Sequence, residues 1–191
     1  MFKDPRDGNF YRTVRLGNNT WMAENLRYIV KPYFTGWGWA SIYVYNHLGG
    51  KLEQITACNE YKKYGCLYSW PRAISICPDG WRLPNDEDWK MLINYLGGEN
   101  LAVGKMINLD DWKFHNVKAT NESGFSGLPG GCFRQPTYFS GIGSIGSWYS
   151  SSEYSKKMAN VWTITNAEEY HIIELCIDAK DEGRSVRYVK M

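Results

Sequence analysis

The sequence has no excess of one charge and no long basic run. Its 191 residues carry 22 lysines and arginines against 20 aspartates and glutamates, for a formal net charge of +2. The longest basic runs are the pairs Lys62-Lys63 and Lys156-Lys157. A protein that binds nucleic acid needs a clustered basic surface to offset the phosphates, so we expect no nucleic-acid partner.

Long apolar runs are also absent. No stretch of about 18 consecutive residues is apolar, so the sequence predicts no transmembrane segment in this chain. Residues 1–5, with the sequence MFKDP, lack the apolar core of a secretory signal peptide.

Spacings of cysteine and histidine that would hold a metal are missing. The chain has three histidines, and no two of its five cysteines form a CxxC pair. We therefore expect no zinc site and no cofactor. The cysteines are Cys58, Cys66, Cys77, Cys132 and Cys176. They fit either one or two disulfides with a leftover thiol or five unpaired buried thiols, and their spacing does not decide between these alternatives.

Catalytic motifs are missing as well. Three consecutive serines, Ser150, Ser151 and Ser152, lie outside any GxSxG turn between a strand and a helix, so we expect them to be structural. Acidic residues occur in several turns, but no spacing singles out a pair of carboxylates for glycoside hydrolysis. The sequence therefore predicts a protein that is not an enzyme.

Aromatic residues, in contrast, are abundant. Nine tryptophans, 14 tyrosines and 7 phenylalanines make up 16% of the chain. Large rings suit a loop-rich fold, because one tryptophan or tyrosine buries much area where regular packing is sparse. They suit equally a surface that binds sugars or proteins, and composition does not separate the two.

The residue pattern predicts a single α+β domain over residues 1–191. Strands at 11–16 and 20–22 form an N-terminal hairpin, because alternating residues flank a glycine-asparagine turn. Strands at 161–165 and 170–177 form a C-terminal hairpin, and a last strand covers 185–189.

Two helices are predicted between these hairpins. The first follows Ser69 and has Pro71 in its first turn, where a missing N–H costs little. The second begins after the N-cap Asn85 and ends at Gly97. Its buried stripe consists of Trp89, Leu92, Ile93 and Leu96. Residues 29–65, with a short strand at 42–45, and the roughly fifty residues after the second helix are predicted to be irregular.

Six ordered sequence blocks resemble a known family. They are DGNFYRTVRLGNNTWMAENL at 7–26, YGCLYSW at 64–70, CPDGWRLPNDEDWKMLINYLGG at 77–98, ATNESGFSGLPGG at 119–131, GSWYSSSEY at 146–154 and SVRYVK at 185–190. Together they resemble the Fibrobacter succinogenes major paralogous domain family of bacterial surface and exported proteins. The sequence departs from the family pattern at Tyr188, where members often have cysteine, so the family's usual disulfide pairing is not assumed.

The resemblance implies a C-type-lectin-like fold. That fold has two helices, paired N- and C-terminal strands, a small second antiparallel sheet and long ordered loops. It also implies an extracellular or cell-surface location, with any lipid anchor on a segment outside this chain. Sugar-binding C-type lectins hold calcium with Gln-Pro-Asp or Glu-Pro-Asn loops and a Trp-Asn-Asp strand. Here Gln135-Pro136 is followed by Thr137 and no Trp-Asn-Asp occurs, so we expect no calcium-dependent sugar binding.

The resemblance further implies a binding face made of C-terminal loop and strand residues, as in related lectin-like variable proteins. We expect Trp148 and Trp162 to be core residues. The candidate ligand-binding residues are Phe133, Arg134, Gln135, Tyr138, Phe139, Tyr154, Tyr170 and His171.

The predicted function is therefore that of a non-catalytic recognition domain for a glycan or a surface protein. One alternative is a structural module of an adhesin or a pilus assembly that has no small ligand. A remoter alternative is an enzyme of the formylglycine-generating type, which shares the broad fold. That chemistry needs a pair of metal-binding cysteines, for which Cys132 and Cys176 form the only C-terminal pair.

Overall fold

The computed structural model describes residues 1–30, 41–48, 51–115, 118–136, 138–168 and 170–191. The strands in these ranges are β1 (Phe2–Lys3), β2 (Phe10–Tyr11), β3 (Thr13–Leu16), β4 (Asn19–Met22), β5 (Ile42–Tyr43), β6 (Leu67–Tyr68), β7 (Trp81–Arg82), β8 (Gly130–Arg134), β9 (Tyr138–Ile142), β10 (Ile145–Glu153), β11 (Met158–Asn166), β12 (His171–Ala179) and β13 (Val189–Lys190). The helices are α1 (Leu52–Ala57), α2 (Asn59–Tyr64), α3 (Trp70–Ser75), α4 (Asp86–Tyr95) and α5 (Glu99–Met106), with a 3-10 turn at Leu109–Asp111. Among the described residues, no helix has the length and apolar character needed to cross a membrane.

The N- and C-terminal strands pair, as predicted. A four-stranded sheet has the order β3-β4-β13-β7, and Val189 of β13 lies opposite Trp21 of β4 and Arg82 of β7. The predicted N-terminal hairpin is the β3–β4 pair, in which Val14 lies opposite Trp21. The fold is therefore α+β, with several small antiparallel sheets.

The segment at 183–190, which precedes the last residue, runs through the centre of the molecule. Its backbone exchanges hydrogen bonds with five other parts of the chain, which ties the small sheets together. The contacts join Gly183 to Phe133, Arg184 to Tyr68, Ser185 to Ser147, Val186 to Leu26 and Tyr188 to Met22. We call residues 183–190 the central segment.

The three longest strands form one antiparallel sheet of order β10-β11-β12. This is the predicted C-terminal hairpin with a third strand, and its strands are longer than expected. The central strand β11 divides two core clusters, because Val161 packs into one and the next residue, Trp162, packs into the other. Successive side chains of a strand point to opposite faces of the sheet, so β11 contributes to both cores.

The helix α4 forms as predicted. The Asn85 side chain accepts a hydrogen bond from the Asp88 amide, while the Asp88 carboxylate accepts one from the Asn85 amide, which completes a capping box. The predicted stripe of Trp89, Leu92, Ile93 and Leu96 is buried. The other predicted helix is α3, which follows Ser69 and has Pro71 in its first turn.

Three further helices correct the expectation of two. Helices α1 and α2 lie in the stretch 29–65 that was predicted to be irregular, of which residues 31–40 and 49–50 lie outside the described residues. Of these two six-residue helices only Ile55 is buried, so neither shows a periodic apolar stripe. Helix α5 begins after Gly98, which has a φ of 87° and no side-chain cap. The usual start signal is therefore missing.

The aromatic residues mainly build the core. Trp21, Trp89, Phe125, Trp148 and Trp162 form one cluster, in which Trp89 lies 4.9 Å from Trp21 and 6.3 Å from Trp162 between ring centroids. Trp148 and Trp162 are buried, which confirms their predicted place in the core.

All five cysteines are free thiols. Tyr188 is fully buried, and its hydroxyl donates a hydrogen bond to the Ala73 carbonyl at 2.6 Å. The ring thus fills the core at this position and pairs its one polar group.

Candidate binding surface

The β8–β9 hairpin holds the first group of candidate ligand-binding residues. Phe133 is only 2% exposed, and its ring stacks on Tyr43 with 3.9 Å between centroids. Phe139 packs between Phe133, at 5.0 Å, and Tyr45, at 5.1 Å. Phe133 is therefore a core residue with little surface to offer a ligand, because its ring anchors the hairpin on Tyr43.

The remaining residues of this group lie near the end of the hairpin. Tyr138 is 61% exposed and lies opposite Arg134 in the strand register. The Arg134 guanidinium is 4.0 Å from the Glu182 carboxylate. Gln135 donates a long hydrogen bond of 3.5 Å to the Tyr43 hydroxyl. Arg134 and Tyr138 are thus accessible to a ligand.

The second group does not come together. Tyr154 lies in the turn between β10 and β11, where its amide donates to the Met158 carbonyl. Tyr170 lies in the turn before β12, and His171 is opposite Asn166 at the other end of β11. The nine residues of β11 span on the order of 26 Å. Tyr154 and Tyr170 are therefore too far apart to contact the same small ligand.

Strand β12 carries exposed apolar residues that the sequence reasoning missed. Ile172 is 39% exposed, and Leu175 and Ile177 are each 43% exposed. Leu175 and Ile177 share one face of the strand, because side chains alternate with a period of two. The sequence could have indicated these residues, because HIIELCIDA at 171–179 places aliphatic side chains on both faces of the strand.

The outer edge of β12 has no partner strand within the described ranges. Such an edge presents backbone N–H and C=O groups along its length, and proteins usually protect it by shortening, charging or covering it. Here the edge strand is nine residues long. We call β12, with the exposed Tyr170 before it, the β12 edge.

A groove of about 460 Å³ runs beside the β12 edge. Helices α4 and α5 form one wall, with Lys90 and Glu99 among its residues. The other wall includes Leu175 and Trp162. The Trp162 indole N–H donates to the Asp86 carboxylate at 3.2 Å, and Asn160 donates to the same carboxylate at 2.6 Å. Most of the other lining residues are apolar, and the charged ones are Lys90, Glu99 and Glu174.

A buried ion network fixes the far end of β12. Arg184 is 1% exposed and contacts the carboxylates of Asp178, at 2.7 Å, and Glu182. Burial by itself would lower the pKa of Arg184, but the neighbouring Tyr149, Asp178 and Glu182 outweigh burial and raise it. The guanidinium also donates to the Phe133 carbonyl at 3.1 Å. Because a buried charge is stable only with partners, this network holds β12 against the central segment.

Two of the three serines predicted to be structural, Ser150 and Ser152, accept hydrogen bonds from backbone amides. Ser150 is fully buried, and its hydroxyl accepts from the Ser152 amide at 3.1 Å. The Ser152 hydroxyl in turn accepts from the Asp86 amide at 3.2 Å. Cys132 and Cys176, the pair considered for a formylglycine-type reaction, lie in different sheets, on β8 and β12.

Comparison with known proteins identifies the family of this protein and nothing more specific. No curated protein and no solved structure is significantly similar to the chain. The sequence model described as the Fibrobacter succinogenes major domain matches residues 14–190. This match covers nearly the whole chain and includes β12 and the central segment. The protein therefore belongs to the Fibrobacter succinogenes major domain family.

Proposed function

We propose that this protein is a non-catalytic recognition domain that binds a protein ligand through the β12 edge. The observation that carries the proposal is the long unpaired edge flanked by Ile172, Leu175 and Ile177, each about 40% exposed. An extended peptide that adds to a sheet edge gains backbone hydrogen bonds, and side-chain pockets beside the edge give it specificity. The groove next to Leu175 supplies such a pocket.

A protein ligand fits this surface better than a glycan. Sugars are held by accessible rings with polar groups around them, and the exposed Tyr154 and Tyr170 are separated by the length of β11. The side chains exposed along β12 are the aliphatic Ile172, Leu175 and Ile177 and the acidic Glu174. A peptide with small apolar residues and at least one lysine or arginine would match this pattern.

The C-type-lectin-like fold and the extracellular or cell-surface location belong to the same proposal. The paired terminal strands, the β10-β11-β12 sheet and the irregular stretch after α5 support that fold. In this setting the β12 edge serves adhesion to another surface protein. The second candidate function is a structural module of an adhesin or a pilus. In that case a neighbouring subunit, rather than a separate ligand, would bind the β12 edge.

The test is selection from a display library of random peptides on the immobilised domain. We expect enriched peptides to be extended, and their binding to be lost in Leu175→Lys and in Ile177→Lys. Met91→Lys is the matched control, because Met91 is 50% exposed on α4 and lines a different groove. Hydrogen exchange of the bound complex should show new protection at the amides of β12.

Three other results would contradict the proposal. Binding on a glycan array that is lost in Tyr138→Ala or Tyr170→Ala would establish a glycan ligand instead. Self-association that disappears in Ile177→Lys, without any peptide binding, would favour the structural module. Peptide binding that persists in both lysine variants would place the ligand on another surface.

A further inference from the structure

Three side chains able to bind a metal lie together away from the β12 edge. His47, Cys58 and Glu60 each offer one donor atom, and these atoms all lie within 4.8 Å of one another. His47 Nε2 is 3.9 Å from a Glu60 carboxylate oxygen. An ion pair between His47 and Glu60 would explain two of the three groups, but it does not explain the thiol beside them.

The backbone fixes the cluster from two sides. The His47 amide donates to the Val44 carbonyl at 2.8 Å, closing a turn in which Asn46 has a left-handed φ of 60°. Cys58 joins α1 to α2, and its amide donates to the carbonyl of Ile55 at 3.2 Å. Val44 and Ile55 are buried in the same core cluster. The two segments that carry the donors are therefore anchored on one core.

The Cys58 sulfur is positioned by a further contact. Its Sγ accepts a hydrogen bond from the Tyr61 amide at 3.4 Å. The Tyr61 hydroxyl donates to the Arg27 carbonyl at 3.0 Å, which secures α2 to the N-terminal part of the chain. An N–H group that donates to a ligating atom is the kind of outer contact that orients ligands in metal sites.

The geometry points to a binding site for a divalent transition-metal ion of the zinc type, held by His47, Cys58 and Glu60. Zinc binds thiolate, imidazole and carboxylate at about 2.0 to 2.3 Å in a tetrahedron, which places neighbouring donors roughly 3.3 to 3.7 Å apart. Starting from separations of 4.8 Å or less, the three donors need to approach by no more than about 1.5 Å, which side-chain rotation supplies. A thiolate ligand disfavours magnesium and calcium, which prefer oxygen.

Solvent supplies the fourth ligand. The side chains of His47 and Glu60 are each 34% exposed, so water reaches the ion without any change in the fold. The bound ion joins the turn at 44–47 to the α1–α2 connection, and it closes a loop of the chain. Because it binds the native state, it raises the free energy of unfolding, and above the dissociation constant this increase grows with the logarithm of the metal concentration.

Cobalt(II) is the probe for this site, since it accepts the same ligands as zinc and absorbs visible light. We expect titration of the metal-free protein to give tetrahedral d–d bands and a near-ultraviolet thiolate-to-cobalt band. Zinc should displace cobalt and abolish both. The variants Cys58→Ser and His47→Ala should weaken binding more than about tenfold, and Glu60→Gln should weaken it less.

Two variants serve as matched controls. Cys176→Ser removes another partly buried free thiol, and His171→Ala removes a histidine outside the cluster. Both should bind cobalt as the wild type does. Circular dichroism checks that each variant is folded, and alkylation followed by mass spectrometry should show that zinc protects Cys58 but not Cys176.

The proposal fails if folded wild-type protein gives no thiolate-to-cobalt band. It also fails if Cys58→Ser retains the wild-type affinity, or if Cys176→Ser loses it. None of these results bears on the β12 edge, because Leu175→Lys and Ile177→Lys leave all three metal donors in place.

Discussion

The central segment and β12 are neighbours in sequence, but they differ in how far their backbone polar groups are paired with other strands. Residues 183–190 exchange backbone hydrogen bonds with strands and loops on both sides, and Arg184, Arg187 and Tyr188 are buried with their polar atoms paired. Strand β12 ends only four residues earlier, yet one of its edges has no partner strand among the described residues. It also exposes three aliphatic side chains.

This contrast separates residues that identify the family from residues to which we assign the proposed binding. The block SVRYVK, one of those that pointed to the family, lies in the central segment, where Val186, Arg187, Tyr188 and Val189 are buried. Such a block reports the fold, and fold alone does not determine function. The surface that we propose for ligand binding, the β12 edge, lies in the sequence just before this block.

The largest expected effect is on the central segment, at Arg187. Its guanidinium donates to Asn25 at 2.9 Å, to the Ser126 carbonyl at 2.6 Å and to the Phe125 carbonyl. It is fully buried over the rings of Phe125 and Trp148, and burial lowers its pKa. Arg187→Leu removes donors from three acceptors and should reduce the free energy of unfolding by about 3 to 5 kcal/mol.

Urea unfolding followed by tryptophan fluorescence measures this loss. The matched control is Arg134→Leu, which removes an arginine whose side chain is 49% exposed. It should change stability by less than about 1 kcal/mol. Equal losses in the two variants would contradict the view that the central segment holds the fold together.

The second prediction concerns Asp88, which supports the strand beside the central segment. Its carboxylate accepts from Arg82, whose strand β7 pairs with β13, and from the amides of Asn85 and the Asn19 side chain. Burial alone would raise the pKa of Asp88, but these hydrogen bonds and the Arg82 charge outweigh burial and lower it. Asp88→Asn should cost about 1 to 2 kcal/mol at neutral pH.

The lowered pKa gives this prediction a definite pH dependence. The contribution of the Asp88 carboxylate to the free energy of unfolding is fully present above the pKa of an unfolded aspartate. It is lost as the pH falls through the lower pKa of the native state. The stability of the wild type should therefore fall towards that of Asp88→Asn in acid. A constant difference between the two proteins down to about pH 2 would contradict the assignment.

A smaller effect is expected for the hydroxyl of Tyr188. Tyr188→Phe leaves the Ala73 carbonyl without its buried donor and should cost about 1 kcal/mol. Tyr95→Phe is the control, because Tyr95 is 62% exposed and should lose almost nothing. Thermal unfolding of both variants measures the difference. If Tyr95→Phe loses as much stability as Tyr188→Phe, burial does not determine how much a tyrosine hydroxyl contributes to stability.

Sequence patterns predicted the elements whose signals are local. Asn85, the acidic first turn and the stripe from Trp89 to Leu96 are all read within one helix, and α4 formed accordingly. The alternating strands of the N-terminal hairpin were predicted for the same reason. Helices α1 and α2 were not predicted because only Ile55 is buried in them, so they show no apolar stripe. Helix α5 was not predicted because it begins after a glycine with no side-chain cap.

The candidate site was harder to predict, because it depends on which strand ends a sheet. The sequence showed that Phe133 and Tyr138 are aromatic, but only the fold places Phe133 on Tyr43 and leaves Tyr138 exposed. In the same way, His47 and Cys58 are eleven positions apart and form no familiar spacing. They approach one another because a turn and a helix connection are fixed on the same core.

The smallest expected effect is on the stability of the β12 edge itself. Ile177→Lys should change the free energy of unfolding by less than about 1 kcal/mol, because the side chain is already 43% exposed and the lysine stem can lie along the strand. Ile173→Ala on the same strand should cost about 2 to 5 kcal/mol, because Ile173 is buried. If Ile177→Lys costs as much as Ile173→Ala, the exposed aliphatic residues are part of the core. The contrast between the central segment and the β12 edge would then no longer distinguish a structural region from a binding region.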